Sequence, residues 1–168
     1  MKDAWALLDR RPRITRLTGA VYLGGQLTDS RMEFLRHADV RAVVSLQEER
    51  LDPMDGWASH LWLPCPDGRP PTTGQLLLGA QFIEGQVRRG RKVYVHCHGG
   101  AGRAPTLCAA YLLRTGLSPH AALEAVHAAR PQASMNRRQR EAVSGCATAM
   151  EAAQTGLAQN PNRRRSSG

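Results

Sequence analysis

An α/β fold, with helices flanking a central, mainly parallel twisted sheet of about four or five strands, is what this 168-residue sequence predicts. Three observations carry that expectation. Short apolar runs at 21–23, 40–46, 60–63 and 92–96 alternate with longer segments of helical period, the pattern of strand–helix–strand units. A hydrophobic fraction of 42% with only 5% aromatics suits one core of Leu, Val and Ala, and the length suits one domain. Finally, a glycine-rich run after Lys92–His96 opens directly into an apolar segment, which is a strand–turn–helix arrangement.

Each element has its own signal. Residues 1–18 form a basic lead-in whose Trp5, Leu7 and Leu8 are expected to pack on the body. Val21-Tyr22-Leu23 reads as a short strand closed by Gly24-Gly25. Ser30 and Glu33 have capping-box spacing for a short helix through about Ala38. Val40 to Leu46 is a buried strand, and His60–Leu63 a second. Thr72 and Gln75 cap a helix that carries Leu76, Ala80, Ile83 and Val87 and stops at Gly90. Leu107 to Leu113 is apolar nearly all round, so that helix belongs in the middle of the domain, with Gly116 at its end. Ser118-Pro119 starts the next helix as N-cap and first residue, and Arg130-Pro131 ends it. A last helix begins at Asn136 and sets Val143, Cys146, Ala147 and Met150 on one face. The expected folded domain spans 19–154, followed by a disordered basic tail at 155–168.

The chemistry concentrates in His96-Cys97-His98-Gly99-Gly100-Ala101-Gly102-Arg103. Residues 99–102 have little or no side chain, so the backbone can curl and point successive N–H groups inward as an anion nest. The helix that follows favours negative charge at its N-terminus. Arg103 adds a planar fork suited to bidentate phosphate binding. Cys97, at the bottom of that cup, is expected to be held as thiolate. A metal site is the competing reading of His96, Cys97 and His98. Adjacent residues at a strand tip diverge, however, and no second ligand pair of the usual spacing exists in the chain.

The stretch from His96-Cys97 to Gly102-Arg103 resembles the His-Cys-x2-Gly-x2-Arg signature of cysteine-dependent phosphatases of the protein tyrosine phosphatase family, with Gly100 as the internal glycine. The spacing around it is most similar to the compact dual-specificity branch. Val21–Gly24, Ala42–Leu46 and Pro66-Asp67 agree, so the resemblance covers about residues 20–150. Val43–Glu49 is similar to phosphatases acting on phosphatidylglycerophosphate, whereas Gly102–Pro105 is similar to plant glucan phosphatases, and these two hints conflict. The resemblance implies hydrolysis of phosphate monoesters through a cysteinyl-phosphate, with Cys97 as nucleophile and Arg103 as phosphate clamp. His98, Gly99, Gly100, Ala101 and Gly102 supply the phosphate-binding loop. Protein phosphotyrosine and phosphoserine or phosphothreonine are the expected substrates. The alternatives are a lipid, a phosphoglucan, or a non-catalytic phosphate-binding module.

Similar phosphatases carry their general acid where Asp67 stands here, after a strand and before a helix. Asp67-Gly68 between prolines is also an ordinary turn by composition. Asp52 and Asp55 are the other candidates, one strand earlier. His96 is expected to orient the loop. His98 either adds positive charge for a phosphate-rich substrate or faces solvent. Gln139 aligns with a glutamine that positions the hydrolytic water in some relatives, while Asn136 and Gln139 also have capping-box spacing. The family's hydroxyl after the signature arginine is replaced by Ala104, so Thr106 or a water must substitute, or turnover of the intermediate is slow. A disulfide between Cys65 and Cys97 is a possible redox device, against the simpler reading of Cys65 as strand-end filler.

Bulk properties narrow the partners. The net charge of +9 suits anionic substrates, although an Arg-rich solvated surface explains it equally. No zinc-finger or stacking-aromatic signature points to nucleic acid, and no apolar run is long enough to span a membrane. The N-terminus lacks a signal-peptide core, and four scattered cysteines form no secreted disulfide framework. A monomeric cytoplasmic enzyme with a phosphorylated substrate, no metal and no cofactor is the resulting expectation.

Overall fold

The computed structural model describes residues 14–158. Five strands form one sheet in the order β1-β2-β5-β3-β4. They are β1 (Ile14–Arg16), β2 (Val21–Gly24), β3 (Val40–Gln47), β4 (Ser59–Cys65) and β5 (Lys92–His96). Only β1 is antiparallel to its neighbour; β2 with β5, β5 with β3 and β3 with β4 are parallel. The helices are α1 (Asp29–His37), α2 (Thr73–Arg88), α3 (Arg103–Arg114), α4 (Pro119–Ala129) and α5 (Arg137–Ala158).

Alternation along the strands divides the core. Val21, Leu23, Ala42, Val44, Leu46, Val93 and Val95 face the layer of α2 to α5. Tyr22, Val43 and Tyr94 face the other side, where α1 covers them with Met32 and Leu35. The apolar helix α3 is buried along most of its length, as its sequence predicts, and α4 and α5 pack outside it.

Caps follow local chemistry with one exception. Thr72 and Gln75 form both bonds of their capping box, and the Ser118 hydroxyl accepts from the Ala121 N–H with Pro119 in the first turn. The expected Ser30 box does not form. The N-cap of α1 is Thr28, two residues earlier, and its hydroxyl pairs with that of Ser30 at 3.2 Å instead of capping a backbone N–H. Two boundaries also differ from expectation. Ile14–Arg16, in the basic lead-in, pairs with β2 as an edge strand. Helix α5 runs on through Ala158, past the expected boundary at Thr155. Trp5, Leu7, Leu8 and the Arg163–Arg165 cluster lie outside the described residues.

Candidate active site

The C-terminal end of β5 delivers Cys97 into a loop that enters α3 at Arg103. This is the crevice where ligands bind in parallel sheets, outside the carboxyl ends of the strands. The loop is bent by Gly100, which has φ 65°. A Cβ there would lie 2.5 Å from the carbonyl carbon of Gly24, so no larger residue fits.

Four holds turn loop carbonyls outward, those of His98, Gly100, Ala101 and Gly102. Gln26 N–H donates to His98 O at 2.9 Å, and Arg130 Nε to Gly100 O at 2.8 Å. Ser134 N–H donates to Ala101 O at 2.7 Å, and the Thr106 hydroxyl and N–H both donate to Gly102 O. Among the described residues, no backbone–backbone bond in turns or loops draws on the N–H groups of residues 98–103. A peptide whose carbonyl points out points its N–H in, so this arrangement is an anion nest.

Arg103 is only 1% exposed and fully engaged on one side. Its Nη1 and Nη2 donate to the two carboxylate oxygens of Glu49 at 3.0 and 2.9 Å, and Nη1 also donates to Cys65 O at 2.8 Å. The Asp67 carboxylate stands 3.0 Å from Nη2. The buried Nε has no protein partner. A buried guanidinium N–H with nothing to bond is costly unless a ligand arrives, and it lies beside the nest. The Arg103 hydrogen bonds hold the Glu49 carboxyl down at about 2. Burial works against the charge of Arg103, but Glu49, Cys97 and Asp67 together push its ionisation upward.

Cys97 is 2% exposed. Asp67 is 80% exposed, on the turn between β4 and α2. That turn is tied to the start of α5: Asn136 Nδ2 donates to Gly68 O at 2.8 Å and Gln139 Nε2 to Arg69 O at 3.2 Å. Asn136 and Gln139 also complete a reciprocal capping box, the cap reading of Gln139. A Cβ on Gly102 would lie 2.7 Å from the Gln139 amide, so the capping side chain also lies against the loop. Gln139 therefore touches both the loop and the Asp67 turn.

His96 faces the α1 side of the sheet, stacked on Tyr94, and its Nε2 lies 2.6 Å from Asp52 Oδ2. His60 stands 3.7 Å from the same oxygen, and Gln47 donates to Asp52 Oδ1 at 3.1 Å. Burial alone would raise the Asp52 carboxyl, but the neighbouring His60 and His96 hold it well below the carboxylate range. That removes Asp52 as a general acid: it is buried, ion-paired and ionised. Asp55 is exposed, and its backbone carbonyl accepts from Arg36 of α1.

Two expectations concern neighbouring groups. The Thr106 hydroxyl donates to Gly102 O at 2.7 Å, an intrahelical back-bond, so its proton is committed and it cannot replace the hydroxyl missing at Ala104. Cys65 pairs with Gln47 across β3 while β5 lies on the far side of β3. Two strand spacings, roughly 9–10 Å, then separate its place in the sheet from the end of β5. All four cysteines are free, and burial pushes the Cys65 thiol up to about 11.

Glu49 and Arg130 were not singled out as site residues by the sequence. Glu49 entered only as the end of the Val43–Glu49 segment, and Arg130 only as a helix terminator. Comparison with known proteins is consistent with the geometry. Residues 23–154 match the family model of the Swiss Army Knife protein DSP-PTPase phosphatase domain. The chain is 34% identical over 124 residues to dual specificity protein phosphatase 12 of Rattus norvegicus, covering 69% of this chain and 36% of that one. It is 30% identical over 96 residues to dual specificity protein phosphatase 5 of Homo sapiens, covering 56% of this chain and 25% of the relative's length. The match thus spans about a quarter of that relative. Among solved structures, the active form of Tk-PTP superposes with TM-score 0.75 at 32% identity, covering 82% of this chain and 98% of the other. PTPMT1 in complex with PI(5)P superposes with TM-score 0.78 at 27% identity, covering 84% and 99%.

Proposed function

We propose, for a chain that belongs to the DSP-PTPase family of cysteine-dependent phosphatases, that it hydrolyses phosphate monoesters through a cysteinyl-phosphate intermediate. The observation that carries this reading is the outward turn of the His98, Gly100, Ala101 and Gly102 carbonyls beside an unpartnered Arg103 Nε–H. Together they leave a cup of donors that begins at Cys97 and that an oxyanion would satisfy.

In the first step the Cys97 thiolate attacks phosphorus in line, forming the S–P bond as the ester P–O bond breaks. Asp67 donates a proton to the leaving oxygen. The loop N–H groups and Arg103 carry the charge on the equatorial oxygens, with Glu49 fixing the guanidinium plane. In the second step Asp67, now ionised, takes a proton from water, which attacks phosphorus and releases phosphate and the thiolate. His96 is a positioning residue, tied to Asp52 behind the sheet.

Phosphotyrosine and phosphoserine or phosphothreonine proteins are the leading substrates, supported by the likeness to dual specificity protein phosphatases. A lipid phosphate is the second reading, favoured by the superposition on PTPMT1 bound to PI(5)P. A reducing, cytoplasmic setting suits four free thiols. The test is hydrolysis of para-nitrophenyl phosphate in EDTA, followed by a panel of phosphopeptides and short-chain phospholipids. Turnover is expected in EDTA; its absence would overturn the enzymatic reading in favour of a binding module.

A further inference from the structure

Of the four carbonyls turned out of the cup, three are held by backbone groups. His98 O and Ala101 O accept from the N–H groups of Gln26 and Ser134, and Gly102 O accepts from the Thr106 N–H as well as its hydroxyl. Gly100 O is held by a side chain, the Nε of Arg130 at 2.8 Å. An arginine side chain has many rotamers, so this hold is only as firm as the groups that fix the guanidinium. One donor is at stake. The Gly100–Ala101 peptide is planar and trans, so the Ala101 N–H faces the cup only while the Gly100 carbonyl faces out. Gly100 stands at φ 65°, and a glycine lets that peptide turn over at little steric cost.

Arg130 is fixed from outside both the loop and its own helix. Its Nη1 donates to the Thr15 hydroxyl at 3.0 Å, across 115 residues. Thr15 lies on the edge strand β1, in register with Leu23 of β2. Ile14 packs with the α1-side cluster and Leu17 with the larger one, so alternation turns Thr15 to the side that α2 to α5 cover, where Arg130 ends α4. Two bonds through different nitrogens set the plane of the guanidinium, whereas one alone leaves it free to pivot. Among the described residues no carboxylate forms a salt bridge with Arg130. The Thr15 hydroxyl is therefore a main support of this buried fork.

We propose that Thr15 is a positioning residue for phosphate binding: its hydroxyl fixes Arg130, Arg130 fixes the Gly100 carbonyl, and the Ala101 N–H is thereby kept in the cup. The proposal rests on the phosphatase reading of the cup and adds the edge strand β1 to the parts that shape it. Thr15 acts only through Arg130, so its influence is on how well the cup receives an oxyanion and not on the transfer of a proton.

The test titrates inorganic phosphate calorimetrically into the Cys97→Ser protein, with and without changes at Thr15. Thr15→Val keeps the β-branched shape that suits a strand and removes the acceptor. It is expected to weaken phosphate binding about three- to tenfold, the scale of one hydrogen bond, and Thr15→Ser should restore most of the loss. Unchanged binding in Thr15→Val overturns the proposal. So does equal weakening in Thr15→Ser, which would assign the effect to the shape of the strand. Because Thr15 acts through Arg130, adding Thr15→Val to Arg130→Gln should cost nothing further; full additivity of the two losses overturns the chain of bonds. Linkage supplies a readout with Thr15 unchanged: phosphate should slow hydrogen exchange of the β1 amides, and Arg130→Gln should abolish that slowing. No slowing with Arg130 in place, or slowing that survives Arg130→Gln, overturns the proposal even where Thr15→Val does not fold. Hydrolysis of para-nitrophenyl phosphate by the protein with Cys97 intact is scored apart. Its absence beside an intact Thr15 dependence counts against the phosphatase reading alone, whereas turnover with no Thr15 dependence of binding counts against Thr15 alone.

Discussion

Two buried arginines flank the same loop and do opposite things. Arg103 is answered by Glu49 and Asp67 and keeps one N–H open. Arg130, 3% exposed at the end of α4, bonds Gly100 O and the Thr15 hydroxyl, at 2.8 and 3.0 Å. The neighbours of Arg103 push its ionisation up, whereas burial draws that of Arg130 down. One guanidinium keeps a buried N–H without a protein partner, as the proposed phosphate clamp would; the other is used for shape, turning the Gly100 carbonyl away from the cup. Residue type alone therefore says little about role. What separates them is which atoms remain unpaired.

The largest expected effect removes the proposed nucleophile. Cys97→Ser should abolish turnover while phosphate or vanadate still binds, measured by calorimetry beside steady-state rates; residual turnover at the wild-type rate would assign the nucleophile elsewhere. Arg103→Lys should lower kcat/KM on the order of 10³–10⁴, because an ammonium cannot reproduce the fork. Asp67→Asn should cost about 10²–10³ in kcat on alkyl phosphates and less on aryl phosphates with acidic phenols. Equal loss on both would make Asp67 a partner of Arg103 and not an acid.

Arg130→Gln tests the other half of the contrast. It should reduce kcat about tenfold and lower stability by about 1–3 kcal/mol, the cost of disturbing buried polar partners, seen in a thermal melt. Activity lost to the extent of Arg103→Lys, with an unchanged melt, would show that Arg130 acts on the chemistry directly. The smallest effect is in acid. The Glu49 carboxyl sits at about 2 in the folded protein and near 4.5 when free, so its contribution is full above about pH 4.5 and is lost as pH falls towards 2. Glu49 is 40% exposed, so Glu49→Gln should flatten the stability curve in that window by less than about 1 kcal/mol. Asp52 loses stability in the same direction but is present in both proteins, and the difference isolates Glu49.

Much of this site was legible because it is local. The loop, its strand and its helix are contiguous, and the Thr72 box and Ser118-Pro119 start depend on residues three apart or fewer. Ser30 failed because spacing permits a box without choosing which residue begins the helix. Glu49 and Arg130 were hidden for another reason. Glu49 meets Arg103 across 54 residues, and Arg130 meets Thr15 across 115, and no periodicity in a single sequence records such pairings. Thr106 was misjudged because a hydroxyl near the loop was counted as available, when the nearest carbonyl one turn back already holds its proton.

That back-bond bears on how the catalytic cycle divides its time. The donors of the cup serve the incoming phosphate, but when the sulfur must depart again, neither Ala104 nor Thr106 offers it a proton. On the proposed mechanism, loading would then be favoured over unloading, and the phosphorylated enzyme is the expected resting form under saturating substrate. Such a catalyst is governed by dwell time: its output tracks how often water reaches the adduct, and any alcohol that reaches it first competes to carry the phosphoryl group away.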